Sequence, residues 1–95
     1  MDKKIYRLRY KKFADLLKHE RTCCHVTQEE MAVRLGLTQT QVSQIEKGYR
    51  RIDIIELIEY CKVSGIPLTE FVNKLKFRFF SEYLDDKNIK DNPLI

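Results

Sequence analysis

One pattern, present three times, limits this chain more than any other: a hydroxyl or carboxylate residue followed three positions later by Glu or Gln. Thr27 precedes Glu30, Thr38 precedes Gln41, and Asp53 precedes Glu56. In each pair the first side chain can accept from the amide three residues on, while the second reaches back to the first residue's amide. That reciprocal arrangement is a capping box, and it starts an α-helix. Val26 with Met31, Leu37 with Val42 and Ile52 with Leu57 flank the three boxes at the spacing of hydrophobic staples. The ends are marked too. Gly36, Gly48 and Gly65 each follow a stretch of helical periodicity, where a left-handed residue closes a helix at little cost to glycine.

These signals predict a second helix over residues 28–35, a third over 39–47 and a fourth over 54–64. Upstream, Tyr10, Phe13, Leu17 and Cys24 recur at helical spacing and predict a first helix over 5–24. Downstream, Pro67 precedes Leu68, Phe71, Val72, Leu75, Phe79 and Tyr83, which predicts a fifth over 68–84. Nothing alternates as a strand would, so the expected class is all-α with five helices in one domain, residues 1–84. The polar tail, 85–95, is expected to fray. Between the second and third helices lies only Gly36-Leu37-Thr38, a connection tight enough to form a helix-turn-helix.

Composition narrows the function. Hydrophobic residues make up 43% and charged residues 34%, as in a folded water-soluble chain. There is no run of about 18 apolar residues and no signal-peptide core, so a cytoplasmic protein without a membrane partner is expected. The net charge of +4 is unevenly spread: residues 1–21 hold eight Lys or Arg against three acids, whereas residues 52–75 hold two against four. A basic end suits a polyanion such as nucleic acid, and equally suits a solvated helix face. The cluster His19, Cys23, Cys24 and His25 has zinc-type ligands but lacks the paired spacings of structural zinc sites. A helix end with one buried and one exposed thiol is the expectation, with no metal and no cofactor. With no Gly-rich phosphate loop and no His-Glu-x-x-His run, an enzyme is not expected.

The third helix is the informative one. Val42 and Ile45 must face the core with Leu37, which leaves Gln39, Thr40, Ser43, Gln44 and Lys47 on the opposite side. That face carries amides and hydroxyls where a merely soluble helix would carry Glu and Lys. Gln donates and accepts at once, matching adenine in the major groove, and the Thr methyl can touch that of thymine. No carboxylate is there to repel phosphate.

The segment TQEEMAVRLGLTQTQVSQIEKG, residues 27–48, resembles the helix-turn-helix of the phage-repressor and Cro superfamily, the XRE type. Gln28, Ala32, Gly36, Val42, Ser43, Ile45, Glu46 and Gly48 are the matching positions, and the likeness covers most of residues 21–72. It implies a lambda-repressor-like DNA-binding domain whose third helix reads double-stranded DNA. Gln39, Thr40, Ser43 and Gln44 would then face base edges. Gln28, Thr38, Lys47, Tyr49, Arg50 and Arg51 would hold the backbone, and Glu46 would form a structural ion pair with Arg21. His25 and Pro67 depart from the pattern: the family usually has glycine at the first and a polar cap at the second.

The expected function is therefore a sequence-specific transcriptional regulator, a repressor, acting as a homodimer on a near-palindromic operator. Phe77, Phe79, Phe80, Tyr83 and Leu84 are expected to form the dimer contact, unless the fifth helix folds back to complete the monomer core. The alternatives are an antitoxin that also engages a toxin protein, and a protein-interaction module that does not bind DNA.

Overall fold

The computed structural model describes residues 1–85, with side chains through Phe79. Of the tail expected to fray, 85–95, Asp85 is the last residue of α5 and the rest lies outside the described residues, as do the side chains of Phe80, Tyr83 and Leu84. The described residues form five helices: α1 Lys3–Cys23, α2 Gln28–Leu35, α3 Gln39–Glu46, α4 Ile54–Val63 and α5 Leu68–Asp85. Among the described residues there is no strand.

All three capping boxes form. The Glu30 amide donates to Thr27 Oγ1 at 3.1 Å and the Thr27 amide to Glu30 Oε1 at 3.0 Å. Gln41 and Thr38 exchange the same pair at 3.1 and 2.9 Å, and Glu56 and Asp53 at 2.7 and 3.1 Å. α1 begins two residues before the expected Ile5, because Asp2 caps it, its carboxylate accepting from the Lys4 amide at 2.6 Å. α3 and α4 each end one residue short of expectation, at Glu46 and Val63.

The first four helices end in the same way. At the end of α1 the Val26 amide donates to the Arg21 carbonyl and the His25 amide to the Thr22 carbonyl. Equivalent pairs close α2, α3 and α4. This two-bond closure needs a residue of positive φ. Gly36, Gly48 and Gly65 supply it in three cases, and His25, at φ 61°, supplies it in the fourth. A Cβ in that region costs about 1–2 kcal/mol, partly offset by the greater unfolded-state entropy of glycine. His25→Gly is therefore expected to raise the unfolding free energy by roughly 0.5–1 kcal/mol, measured by urea denaturation.

The core runs from Leu16 and Leu17 on α1 through Met31 and Ala32 on α2 and Val42 and Ile45 on α3. Tyr60 and Cys61 on α4, then Ile66 and Phe71, complete it. α2 and α3 pack on each other, α2 also on α4 and α3 also on α1, which presents the outer face of α3 to solvent. α5 folds back on α1: Phe71 meets the Phe13 ring edge-on at 5.9 Å, and Lys74 pairs with Glu20 at 3.0 Å. Arg9 lies over the Phe79 ring, 5.3 Å from its centre. Phe79 is thus half-buried against α1, while Phe77 remains 71% exposed.

The thiols correct one expectation. Cys23 and Cys24 are both exposed, because α1 ends at Cys23 and Cys24 caps it, which turns both away from the core. The buried thiol is Cys61, and burial, with the nearby Glu20 carboxylate, pushes it up to about 11. At pH 8 a thiol reagent should modify Cys23 and Cys24 promptly and reach Cys61 only as the protein unfolds, a difference that mass spectrometry of the native protein would resolve.

Candidate nucleic-acid interface

α3 is held from below by a buried charge cluster. Arg21 Nε donates to Glu46 Oε2 at 2.6 Å and Nη2 to Oε1 at 2.8 Å, so the expected ion pair forms in the bidentate geometry that suits guanidinium and carboxylate. The third Arg21 contact goes to the Val26 carbonyl at 2.7 Å, tying the same guanidinium to the α1–α2 connection. Both side chains are almost wholly buried. Tyr60, which no sequence pattern singles out, places its hydroxyl 2.5 Å from Glu46 Oε2 and 2.9 Å from the Leu17 carbonyl. A single phenol proton belongs on the nearer, charged acceptor. Gln28 Nε2 adds a fourth donor to Glu46, at 3.0 Å.

Burial opposes the Glu46 charge, yet the hydrogen bonds from Arg21, Tyr60 and Gln28 outweigh it and hold the carboxyl below its ordinary range. Burial and the adjacent carboxylate act the other way on Tyr60, keeping its phenol protonated.

The cluster continues to the surface. Gln28 donates to Glu46 through its amide nitrogen and accepts from Gln39 Nε2 at 2.5 Å through its oxygen. One expected backbone-holding residue thereby orients one expected base reader, and the orientation is anchored in a buried ion pair. Gln39, Thr40 and Gln44 are exposed and Ser43 is half-buried beside them. The Thr38 hydroxyl accepts from Gln41 in the capping box, and its proton remains free to be donated.

Beyond α3, the cations take different roles. Lys47 and Tyr49 are exposed, Tyr49 at 82%. Arg50 turns inward, its guanidinium 3.3–3.4 Å from the Glu56 carboxylate and 3.1 Å from the Arg51 carbonyl, so its charge is largely committed within the fold. Arg51 turns toward α1, donates to the Tyr6 hydroxyl and lies 5.3 Å from the centres of both the Tyr6 and Tyr10 rings. Gly48 lies against α1 at φ 81°, a left-handed conformation that favours glycine, although a Cβ there would meet the Tyr10 ring only at an ordinary contact distance of 3.7 Å.

Other expected residues lie apart from this face. Phe77 and Phe79 belong to α5. Three exposed isoleucines, Ile54, Ile55 and Ile58, add an apolar surface on α4 that sequence patterning did not single out. Their spacing alone reads as core. His19 and Cys23 come within 3.6 Å of one another, but among the described residues no three His, Cys, Asp or Glu side chains converge. Among the same residues, no helix is long and apolar enough to cross a membrane.

A helix-turn-helix family model matches residues 17–71, more than half of the chain. The structure is similar to that of an XRE-family like protein from Pseudomonas syringae pv. tomato str. DC3000, with 37% identity over 80% of this chain and 93% of that one and a TM-score of 0.72. It is also similar in fold to the clp gene regulator ClgR from C. glutamicum, with 18% identity, a TM-score of 0.65, and coverage of 72% and 87% of the two chains. No curated protein sequence matches the chain.

Proposed function

As the chain belongs to the XRE-type helix-turn-helix family, we propose that it is a sequence-specific, double-stranded-DNA-binding transcriptional regulator that represses from a near-palindromic operator. The observation that carries this reading is the exposed amide and hydroxyl face of α3, oriented through Gln28 by the buried Arg21–Glu46 pair. An all-helical fold with this face and no carboxylate on it suits base edges in the major groove. Gln39, Thr40, Ser43 and Gln44 read bases, while Gln28, Thr38, Lys47, Tyr49 and Arg51 hold the backbone. Arg50 contributes by fixing the 47–51 loop through Glu56 as much as by its charge.

One such helix reaches only a few base pairs, so useful affinity requires two chains on half-sites about one helical turn apart. The exposed Phe77 on α5 is the favoured dimer contact, with Phe79 bordering it, and such regulators act in the cytoplasm. The test is stoichiometry on a selected inverted-repeat duplex. Two chains should bind per duplex, and Phe77→Glu should lower affinity for the full site while leaving half-site binding unchanged. One chain per duplex, or no effect of Phe77→Glu, would send the dimer contact elsewhere, with the α4 isoleucines next in line.

A further inference from the structure

The C-terminal half of α1 and the middle of α5 border a cleft of about 280 Å³ that contains none of the residues proposed to touch DNA. It is lined by Leu16, His19, Glu20, Lys74, Phe77 and Arg78. Leu16 and the exposed Phe77 make it apolar in part, while Lys74, paired with Glu20 at 3.0 Å, and Arg78 leave its rim net positive. Such a cleft suits a small ligand that carries carboxylates.

A nucleophile stands at one end of it. Cys23 follows His19 by one helical turn on the same face of α1, and side chains on a helix lean back toward its N-terminus. The Cys23 sulfur accordingly lies 3.6 Å from His19 Nε2 and 3.9 Å from Nδ1, against one wall of the cleft. A neutral imidazole has one nitrogen free to take a thiol proton, and the thiolate is the attacking form of cysteine. Cys24 is exposed as well, but its sulfur is at the α4–α5 turn, 3.4 Å from where a Cβ on Gly65 would stand. One of the two adjacent thiols thus has a base and a cleft beside it, and the other faces a turn.

We propose that Cys23 is a covalent modification site for a low-molecular-weight disulfide bearing carboxylates, and that the adduct, seated in the cleft beside Phe77, blocks pairing of two chains. His19 takes the Cys23 proton, and the thiolate attacks one sulfur of the disulfide. A Cys23–S–S–R bond forms as the original S–S bond breaks; the departing thiolate leaves with the electron pair and takes the proton from His19. The exchange is balanced, and a reducing thiol reverses it. The carboxylates of the adduct meet Lys74 and Arg78 while its body covers Phe77. The consequence for pairing rests on the dimer contact proposed above; the modification itself does not.

The test incubates the full chain with glutathione disulfide and maps its thiols by mass spectrometry. An adduct should form at Cys23 before Cys24, and Cys24→Ser should keep it. His19→Gln, on an exposed residue, should slow reaction at Cys23 by about tenfold or more and leave Cys24 unaffected. Uncharged 2-hydroxyethyl disulfide should show a smaller preference for Cys23. The adduct should bind the full inverted-repeat duplex about tenfold or more weakly than the reduced chain, bind a half-site equally, and recover with dithiothreitol. Cys23→Ser should be blind to the disulfide. Equal rates at the two thiols, a Cys23–Cys24 bridge in place of the adduct, or no effect of His19→Gln overturns the site. If the adduct forms at Cys23 and full-site binding is unchanged while Phe77→Glu weakens it, the consequence for pairing is overturned. If Phe77→Glu also changes nothing, the dimer contact has failed and takes that consequence with it, and the mapped adduct still decides the modification site.

Discussion

Glu46→Gln is expected to lower the unfolding free energy by about 3–5 kcal/mol, a large share of what a domain of this size has to lose. The carboxylate accepts from Arg21 twice, from Tyr60 and from Gln28, and it is almost wholly buried with its partner. A neutral amide there strands a buried guanidinium and presents N–H groups to donors. The pair's net contribution is a separate matter, because desolvation offsets most of the attraction. Arg21→Met combined with Glu46→Leu should therefore be much more stable than either single change, and a double-mutant cycle in urea measures the difference. If Glu46→Gln cost less than about 1 kcal/mol, the cluster would not be what holds α3 to α1.

Acid should act on the same group. The folded-state carboxyl is held below its ordinary value of 4.5. Its contribution is complete above that value and is lost as pH falls through the lowered folded one. Wild-type stability should decline with acid below about pH 4.5, and the profile of Glu46→Gln should be flatter over the same window.

The second large effect concerns base reading. Gln39→Ala and Gln44→Ala should each reduce discrimination between the preferred base pair and its alternatives by about 1–3 kcal/mol while leaving the fold intact. Both side chains are exposed on α3 and neither contributes to the core. Gln28→Ala should behave differently. It removes one donor from Glu46 and frees Gln39, so it should weaken binding to every sequence, blur preference at the Gln39 position and lower stability as well. Measuring unfolding and binding on the three variants separates these roles, because only Gln28→Ala should move both.

The starts of α2, α3 and α4 were legible because each depends on a capping pair within four residues, whereas the start of α1, capped by Asp2 without a box, lay two residues before its apolar periodicity. The Arg21–Glu46 pair was legible through family resemblance, since nothing in residues 21 or 46 alone points at the other. Tyr60 was not, because a tyrosine among apolar neighbours on α4 looks the same whether its hydroxyl meets a carboxylate or water. The turn of Arg50 toward Glu56 is hidden for a related reason: the sequence marks Glu56 only as a capping-box residue, and it serves both roles. The turn of Arg51 toward Tyr6 and Tyr10 depends on how the 47–51 loop crosses α1, a tertiary fact with no periodic signature. Cys24 continues the apolar spacing of α1 in sequence but lies one residue past the point where the helix ends.

The most direct measurement is selection of bound sequences from a random duplex library, at two salt concentrations, with the wild type and with Gln39→Ala/Gln44→Ala. The wild type should enrich an inverted repeat, and the double variant should lose that preference while keeping weak, salt-dependent binding. Failure of the wild type to enrich any motif, or enrichment of the same motif by the variant, would contradict a base-reading role for α3.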